Sequence, residues 1–169
     1  HLVEFYNESK ITLVANDLWA NLAEKTPYFD KVIPLNVLSF TSDYAYRLST
    51  IRKIRSKRYK RVVHFPFTRK WHFASAEAIV RVAPANVKVG SAGEKPVGWR
   101  KRIANTWYTD LLSASDESLS EARRNSEFLQ NLGVDHAEAR IPRLPTNRLP
   151  DVEGLPESFY VLVPGAGAE

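Results

Sequence analysis

The sequence predicts an α/β fold built on a Rossmann-like parallel sheet. Short apolar runs rich in β-branched residues recur at 11–15 (ITLVA), 31–35 (KVIPL), 61–65 (RVVHF) and 87–89. Segments long enough for a helix separate them, and Pro, Gly and Asp residues punctuate the joints. Strands that alternate with helices pair parallel through right-handed crossovers, because a twisted strand feeding a right-handed helix packs back onto its sheet in that way.

The elements follow in order. Residues 1–8 place Leu2, Val3, Phe5 and Tyr6 on one apolar side of a short helix. The 11–15 run is the first strand. Asp17 stands where it would cap a helix running to Lys25 and carrying Leu18, Trp19 and Leu22. The 31–35 run is the second strand, and its Pro34 puts it at an edge or end, since proline has no N–H to donate. Ser42 is the expected N-cap of a basic helix in which Tyr44, Leu48, Ile51 and Arg55 recur at helical spacing. Its cations crowd the last turns, where the macrodipole favours them. The third strand, 61–65, is closed by Pro66, and a helix over 71–82 ends before Pro84 and the fourth strand.

Residues 90–98 are small, charged and turn-rich, a loop leading to the basic cluster Arg100, Lys101 and Arg102. Ser115 is the expected cap of a long helix with Asp116 and Glu117 in its first turn. Leu119, Ala122, Leu129 and Leu132 form its apolar stripe, and Gly133 stands at the C′ stop. Four of the ten prolines fall within 137–157, which reads as an extended interdomain linker. A buried-strand pattern at 159–163 (FYVLV) then runs into Pro164-Gly165-Ala166-Gly167, the start of a second α/β domain.

Composition bounds the function. The 169 residues, 44% hydrophobic and 25% charged, suffice for one domain core or a domain plus a fragment. No apolar run approaches the roughly 20 residues of a membrane-spanning helix, and the first residues lack the layout of a secretory signal. The absence of cysteine excludes disulfides and thiolate metal sites and agrees with a cytoplasmic protein. With no methionine at position 1, the chain reads as one that does not start at a translation start.

Charge is sharply divided. Residues 44–76 hold ten Lys or Arg and no Asp or Glu, and the other 14 cations face all 19 carboxylates, leaving about −5 elsewhere. Such a split points to an anionic partner at one surface: nucleic acid, anionic lipid headgroups or a phosphorylated sugar. The bland alternative is a solvated helix face whose cations favour its own C-terminus. His64, Arg69, Lys70, Trp71 and His72 follow the third strand, where open α/β sheets bind ligands outside the carboxyl ends of their strands. Two histidines with no carboxylate between them make a poor metal site. Arg69 and Lys70, helped by Arg52 and Arg55, are therefore the candidate anion binders. At the far end, Gly165, Ala166 and Gly167 after a strand would let backbone N–H groups approach a phosphate, although an ordinary strand-to-loop turn reads the same way.

Three stretches together resemble glycosyltransferase family 9, the ADP-heptose heptosyltransferases of the lipopolysaccharide core. One is 11–35, with Phe29-Asp30-Lys31-Val32-Ile33-Pro34-Leu35. Another is 105–133, with Asn-Thr-Trp-Tyr-Thr-Asp followed by the Glu121-x-x-Arg124-Asn125…Leu132-Gly133 helix. The last is 160–167, with its Pro-Gly-Ala turn. The resemblance implies the N-terminal half of a GT-B glycosyltransferase. Residues 1–136 would be the acceptor domain without its first strand, 137–157 the linker, and 158–169 the opening strand and turn of the nucleotide-sugar domain.

It implies an inverting, metal-independent transferase with no cofactor, an ADP-heptose-like donor, and a lipid-linked anionic sugar acceptor bound by Arg69, Lys70, Arg52 and Arg55. The donor phosphates would meet Gly165, Ala166 and Gly167, and the enzyme would sit peripherally on the cytoplasmic face of the inner membrane and bind no nucleic acid. The family's Gly-Asp, whose carboxylate is thought to be the general base, falls before His1, so no catalytic base is assigned. Asp17 and Asp43 read as helix caps. The competing reading is a basic α/β module that binds nucleic acid or anionic membrane without catalysis.

Overall fold

The computed structural model describes residues 2–66, 76–93, 99–115 and 119–139. They form a mixed α/β domain in which every strand pairing is parallel. In chain order the elements are α1 (Leu2–Phe5), β1 (Thr12–Asn16), α2 (Asp17–Glu24), β2 (Lys31–Leu35), α3 (Val37–Ser42) and α4 (Tyr44–Arg55). They continue with β3 (Tyr59–His64), α5 (Ala76–Val82), β4 (Ala85–Ser91), α6 (Trp99–Asn105), β5 (Asp110–Leu112) and α7 (Glu121–Asn131). Among the described residues no helix is long and apolar enough to cross a membrane.

The strands divide into two parallel sheets, β1-β2 and β3-β4-β5. In the first, Ala15 stands opposite Pro34, so the ring that lacks an N–H lies on an edge strand, as expected. In the second, His64 stands opposite Gly90 and Ser91 opposite Leu112, which brings three strand ends to one rim. One core joins the sheets. Leu35, Phe40, Ile54, Ala78, Ile79 and Ala83 are buried together, and both Val14 of β1 and Val62 of β3 pack against them. A smaller cluster of Ala15, Ala20, Ala23 and Val32 seats α2 on β1 and β2, its alanines allowing close approach.

Several local expectations are corrected. The cap of α2 is Asn16, whose side chain accepts from the Leu18 N–H at 3.0 Å, and Asp17 is the first helical residue. Ser42 ends α3, a helix the sequence reading passed over, and of the two residues read as caps there it is Asp43 that caps α4, as expected of it, by accepting from the Tyr46 N–H at 3.1 Å. The stretch before the long helix contains α6 and β5, both unanticipated. The long helix starts at Glu121 after Ser120, not at Ser115, which instead bonds Glu127 through its N–H at 3.2 Å. Its buried residue is Phe128 and Ala122 is exposed, so the stripe is rotated from the expected one. Gly133 does stop it, with φ of 99°. Of the helix expected at 71–82, only Ala76–Val82 is described. The turn at 164–167 and nearly all of the linker lie outside the described residues.

Candidate functional site

The carboxyl rim of β3-β4-β5 gathers polar side chains that the local folding explains. β3 delivers His64 as its last residue and β4 delivers Ser91 as its last. Between them Gly90 has no side chain, and the ring of Tyr108, arriving from the turn after α6, lies across that space. A Cβ at position 90 would stand 2.4 Å from Tyr108 Cε1. Because the ring fits there, the Tyr108 hydroxyl reaches His64 Nδ1 at 2.8 Å and Glu77 Oε1 at 3.3 Å. Glu77 stands in the first turn of α5 and is only 2% exposed. The His64 and Tyr108 rings stack with centroids 6.1 Å apart.

With the Tyr108 O–H donated to Glu77 Oε1, the Tyr108 oxygen is left to accept from His64 Nδ1–H. That arrangement corresponds to the Nδ1–H tautomer, whose other ring nitrogen, Nε2, is buried behind the rim.

On the other side of the same rim, α7 closes a small polar recess lined by Phe65, Ser91, Ser113, Arg124, Asn125 and Phe128. Phe128, 4% exposed, anchors the helix by packing on Phe65 with ring centroids 4.8 Å apart. Arg124 is held toward Glu121 at 3.4 Å, and Asn131 Nδ2 donates to the Ser113 carbonyl at 2.9 Å. The Glu-x-x-Arg-Asn spacing thus places Glu121, Arg124 and Asn125 together at the recess, as one helix face requires.

A second concavity runs between the sheets. It holds about 350 Å³ and is lined by all of β1, by Tyr59 and Arg61 to His64 of β3, and by Ile54, Ile79, Val80 and Ala83 beneath. Its burial pushes the Tyr59 hydroxyl above its ordinary value of 10.0. His64 lies where this groove meets the rim.

Of the candidate anion binders, Arg52 and Arg55 fall within the described residues. Arg52 and Arg55 are exposed in the last turn of α4, which leads into the amino end of β3. Since the six residues of β3 span roughly 16–20 Å, both arginines stand at the opposite end of the sheet from His64. Arg69 and Lys70, and Gly165, Ala166 and Gly167, lie outside the described residues. Sequence reasoning missed Glu77, Tyr108 and Ser91. A signal existed for Glu77, the first carboxylate after the acid-free stretch, and for Tyr108, which lies within the 105–110 segment that carried the family resemblance.

No protein-family model and no curated protein sequence matches the chain. Solved structures do. The chain is similar to E. coli heptosyltransferase WaaC with ADP-2-deoxy-2-fluoro heptose, at a TM-score of 0.59 and 16% identity over 85% of this chain and 44% of that one. It is similar to the same enzyme with ADP at a TM-score of 0.58 and 18% identity, over 77% of this chain and 40% of that one. The fold is therefore heptosyltransferase-like, and the chain spans less than half the length of the proteins it resembles.

Proposed function

We propose that this chain is the acceptor-binding half of a GT-B glycosyltransferase that moves a heptose or related sugar from a nucleotide-sugar donor to a lipopolysaccharide-core-type acceptor. The observation that carries the reading is the fold likeness to WaaC over 85% of the chain, solved there with ADP and with an ADP-sugar analogue. The rim supports it. His64, Tyr108 and Glu77 on one side, and Ser91, Arg124 and Asn125 on the other, offer hydroxyl-recognising groups where parallel α/β sheets bind their ligands.

In the proposed reaction an acceptor hydroxyl attacks the anomeric carbon on the face opposite the leaving nucleotide. The new glycosidic bond forms as the bond to the diphosphate breaks, the hydroxyl proton passes to a base, and no metal takes part. Arg69 and Lys70 follow β3 within a few residues and would pair with acceptor phosphates. Arg52 and Arg55, at the far end of the sheet, would act through the long-range field instead. The amides of Gly165, Ala166 and Gly167 would receive the donor diphosphate. Leu18 and Leu38, 89% and 80% exposed at the helix starts after β1 and β2, suit an enzyme lying on the cytoplasmic face of an anionic inner membrane, where a lipid-linked acceptor is presented.

The test is to follow ADP release from ADP-heptose with a core-type lipid acceptor, using this chain and the two-domain protein separately. The two-domain protein turns over and the chain alone does not, because the donor must be held across a cleft from the acceptor. Comparable turnover by the chain, or none by the two-domain protein, contradicts the reading.

A further inference from the structure

Helix α6 turns its large apolar side chains outward. In its sequence, Trp-Arg-Lys-Arg-Ile-Ala-Asn, the buried residue is Ala104, which is 1% exposed, while Trp99 is 63% and Ile103 43% exposed. Four positions apart, Trp99 and Ile103 lie side by side on one face, and the exposed Arg102 flanks them. A helix that covers a sheet ordinarily turns its large apolar residues inward and its charges to water, as α4 does in burying Ile54. An outward apolar pair edged by charge marks a surface that something else covers.

The charge around the pair says what kind of partner fits. Residues 95–109 hold four cations and no carboxylate. The neighbouring helix and strand add two more: the Arg81 guanidinium, from the last turn of α5, lies over the Trp107 ring at 5.2 Å, and Lys88 Nζ of β4 donates to the Arg81 carbonyl at 3.0 Å. An aromatic ring and a branched aliphatic chain beside cations suit the boundary between anionic headgroups and acyl chains, where the apolar groups dip inward and the cations stay with the phosphates. Duplex nucleic acid would engage the cations and leave Ile103 against water.

We infer that α6 is a lipid-facing anchor: Trp99 and Ile103 enter the headgroup boundary of an anionic bilayer, and Arg102 pairs with lipid phosphates. The inference rests on the reading of a membrane-presented acceptor and adds to it the helix that makes the contact. In the chain α6 is bracketed by two residues of the rim, Ser91 before it and Tyr108 after it, and the Tyr108 ring returns to lie against Gly90. A bilayer held at α6 therefore borders the place where the acceptor sugar is proposed to bind. The basic cluster at 100–102, which the proposed sugar transfer leaves without a task, acquires one.

The test uses lipid vesicles with neither donor nor acceptor present, so it can fail or succeed separately from ADP release. Because the sequence has no cysteine, Ile103→Cys and Arg55→Cys chains each take a single nitrobenzoxadiazole dye. Vesicles of phosphatidylcholine with phosphatidylglycerol should brighten the dye at 103 and shift it to the blue, while phosphatidylcholine alone leaves it unchanged. The dye at 55, at the far end of the sheet, should stay in water. In unlabelled chains, Arg102→Glu and Trp99→Ser should each weaken vesicle sedimentation roughly 10-fold or more, with Trp99→Phe keeping most of the binding. Amide exchange at Val89 of β4 reports that each version is folded, and the dye experiment covers the case in which a Trp99 variant is not. A response at 55 in place of 103, an equal response at 103 to neutral vesicles or to duplex DNA, or sedimentation unchanged by both substitutions would overturn the anchor. So would a dye at 103 that the two-domain protein already shields from iodide without vesicles, since α6 would then be covered by protein.

Discussion

An alanine at position 90 would bring its Cβ within 2.4 Å of one Tyr108 ring carbon and 2.6 Å of the next, distances no side chain tolerates without movement. The Gly90→Ala chain should lose about 1–3 kcal/mol in urea unfolding as the ring is pushed off β4, and most of that loss should vanish when Tyr108 is also alanine. Tyr108→Phe asks a different question. The ring stays, but His64 and Glu77 each lose one partner, so a destabilisation of about 1–3 kcal/mol is expected. Nitrogen-15 shifts of the His64 imidazole should also change from one dominant tautomer to a mixture. A single unchanged tautomer would mean that Tyr108 does not set it. These residues were hard to read in advance because they meet only in space: His64 ends β3, Glu77 opens α5 and Tyr108 follows α6, and nothing in their spacing along the chain announces the contact. The arginines of α4 are the opposite case. Their charge was plain, but it carried no information about which end of the sheet they occupy.

At the scale of elements, apolar runs were legible where the strand is long and failed where it is short. β1, β2, β3 and β4 lie on the runs that predicted them, while β5 has only Asp110 to Leu112 and its identity depends on pairing with β4. The caps of α2 and α4 fell one residue from Asp17 and Ser42, since neighbouring Asn, Asp and Ser side chains compete for the same orphan N–H groups and only backbone geometry decides among them. For α4 that decision fell to Asp43, whose φ and ψ of −103° and 112° keep it extended while Oδ1 accepts from Tyr46 N–H. Asp43→Ala should therefore cost about 0.5–2 kcal/mol in thermal or urea unfolding, and Ser42→Ala much less. Equal losses would return the cap to Ser42. The stripe of α7 was misplaced for a related reason. Phe128 buries against Phe65, a partner outside the helix that periodicity alone does not reveal.

For the whole molecule, the parallel α/β class was readable from alternation, and the family resemblance pointed to the fold that the WaaC structures share. The division into two sheets, β1-β2 and β3-β4-β5, could not be read from the apolar runs, because which strand edges pair is not a property of any single residue. The proposal that the acceptor binds along the carboxyl rim of β3-β4-β5 makes the basic half of α4 a source of field and not of contact. Amide hydrogen exchange on the two-domain protein, with and without a phosphorylated core-type acceptor, tests this most directly. The account predicts slowed exchange at Ser91 to Gly93, at Tyr108 to Ser115 and in the first turns of α7, with α4 unchanged. Protection centred on α4 around Arg52 and Arg55, or equal protection by generic duplex DNA, would contradict it.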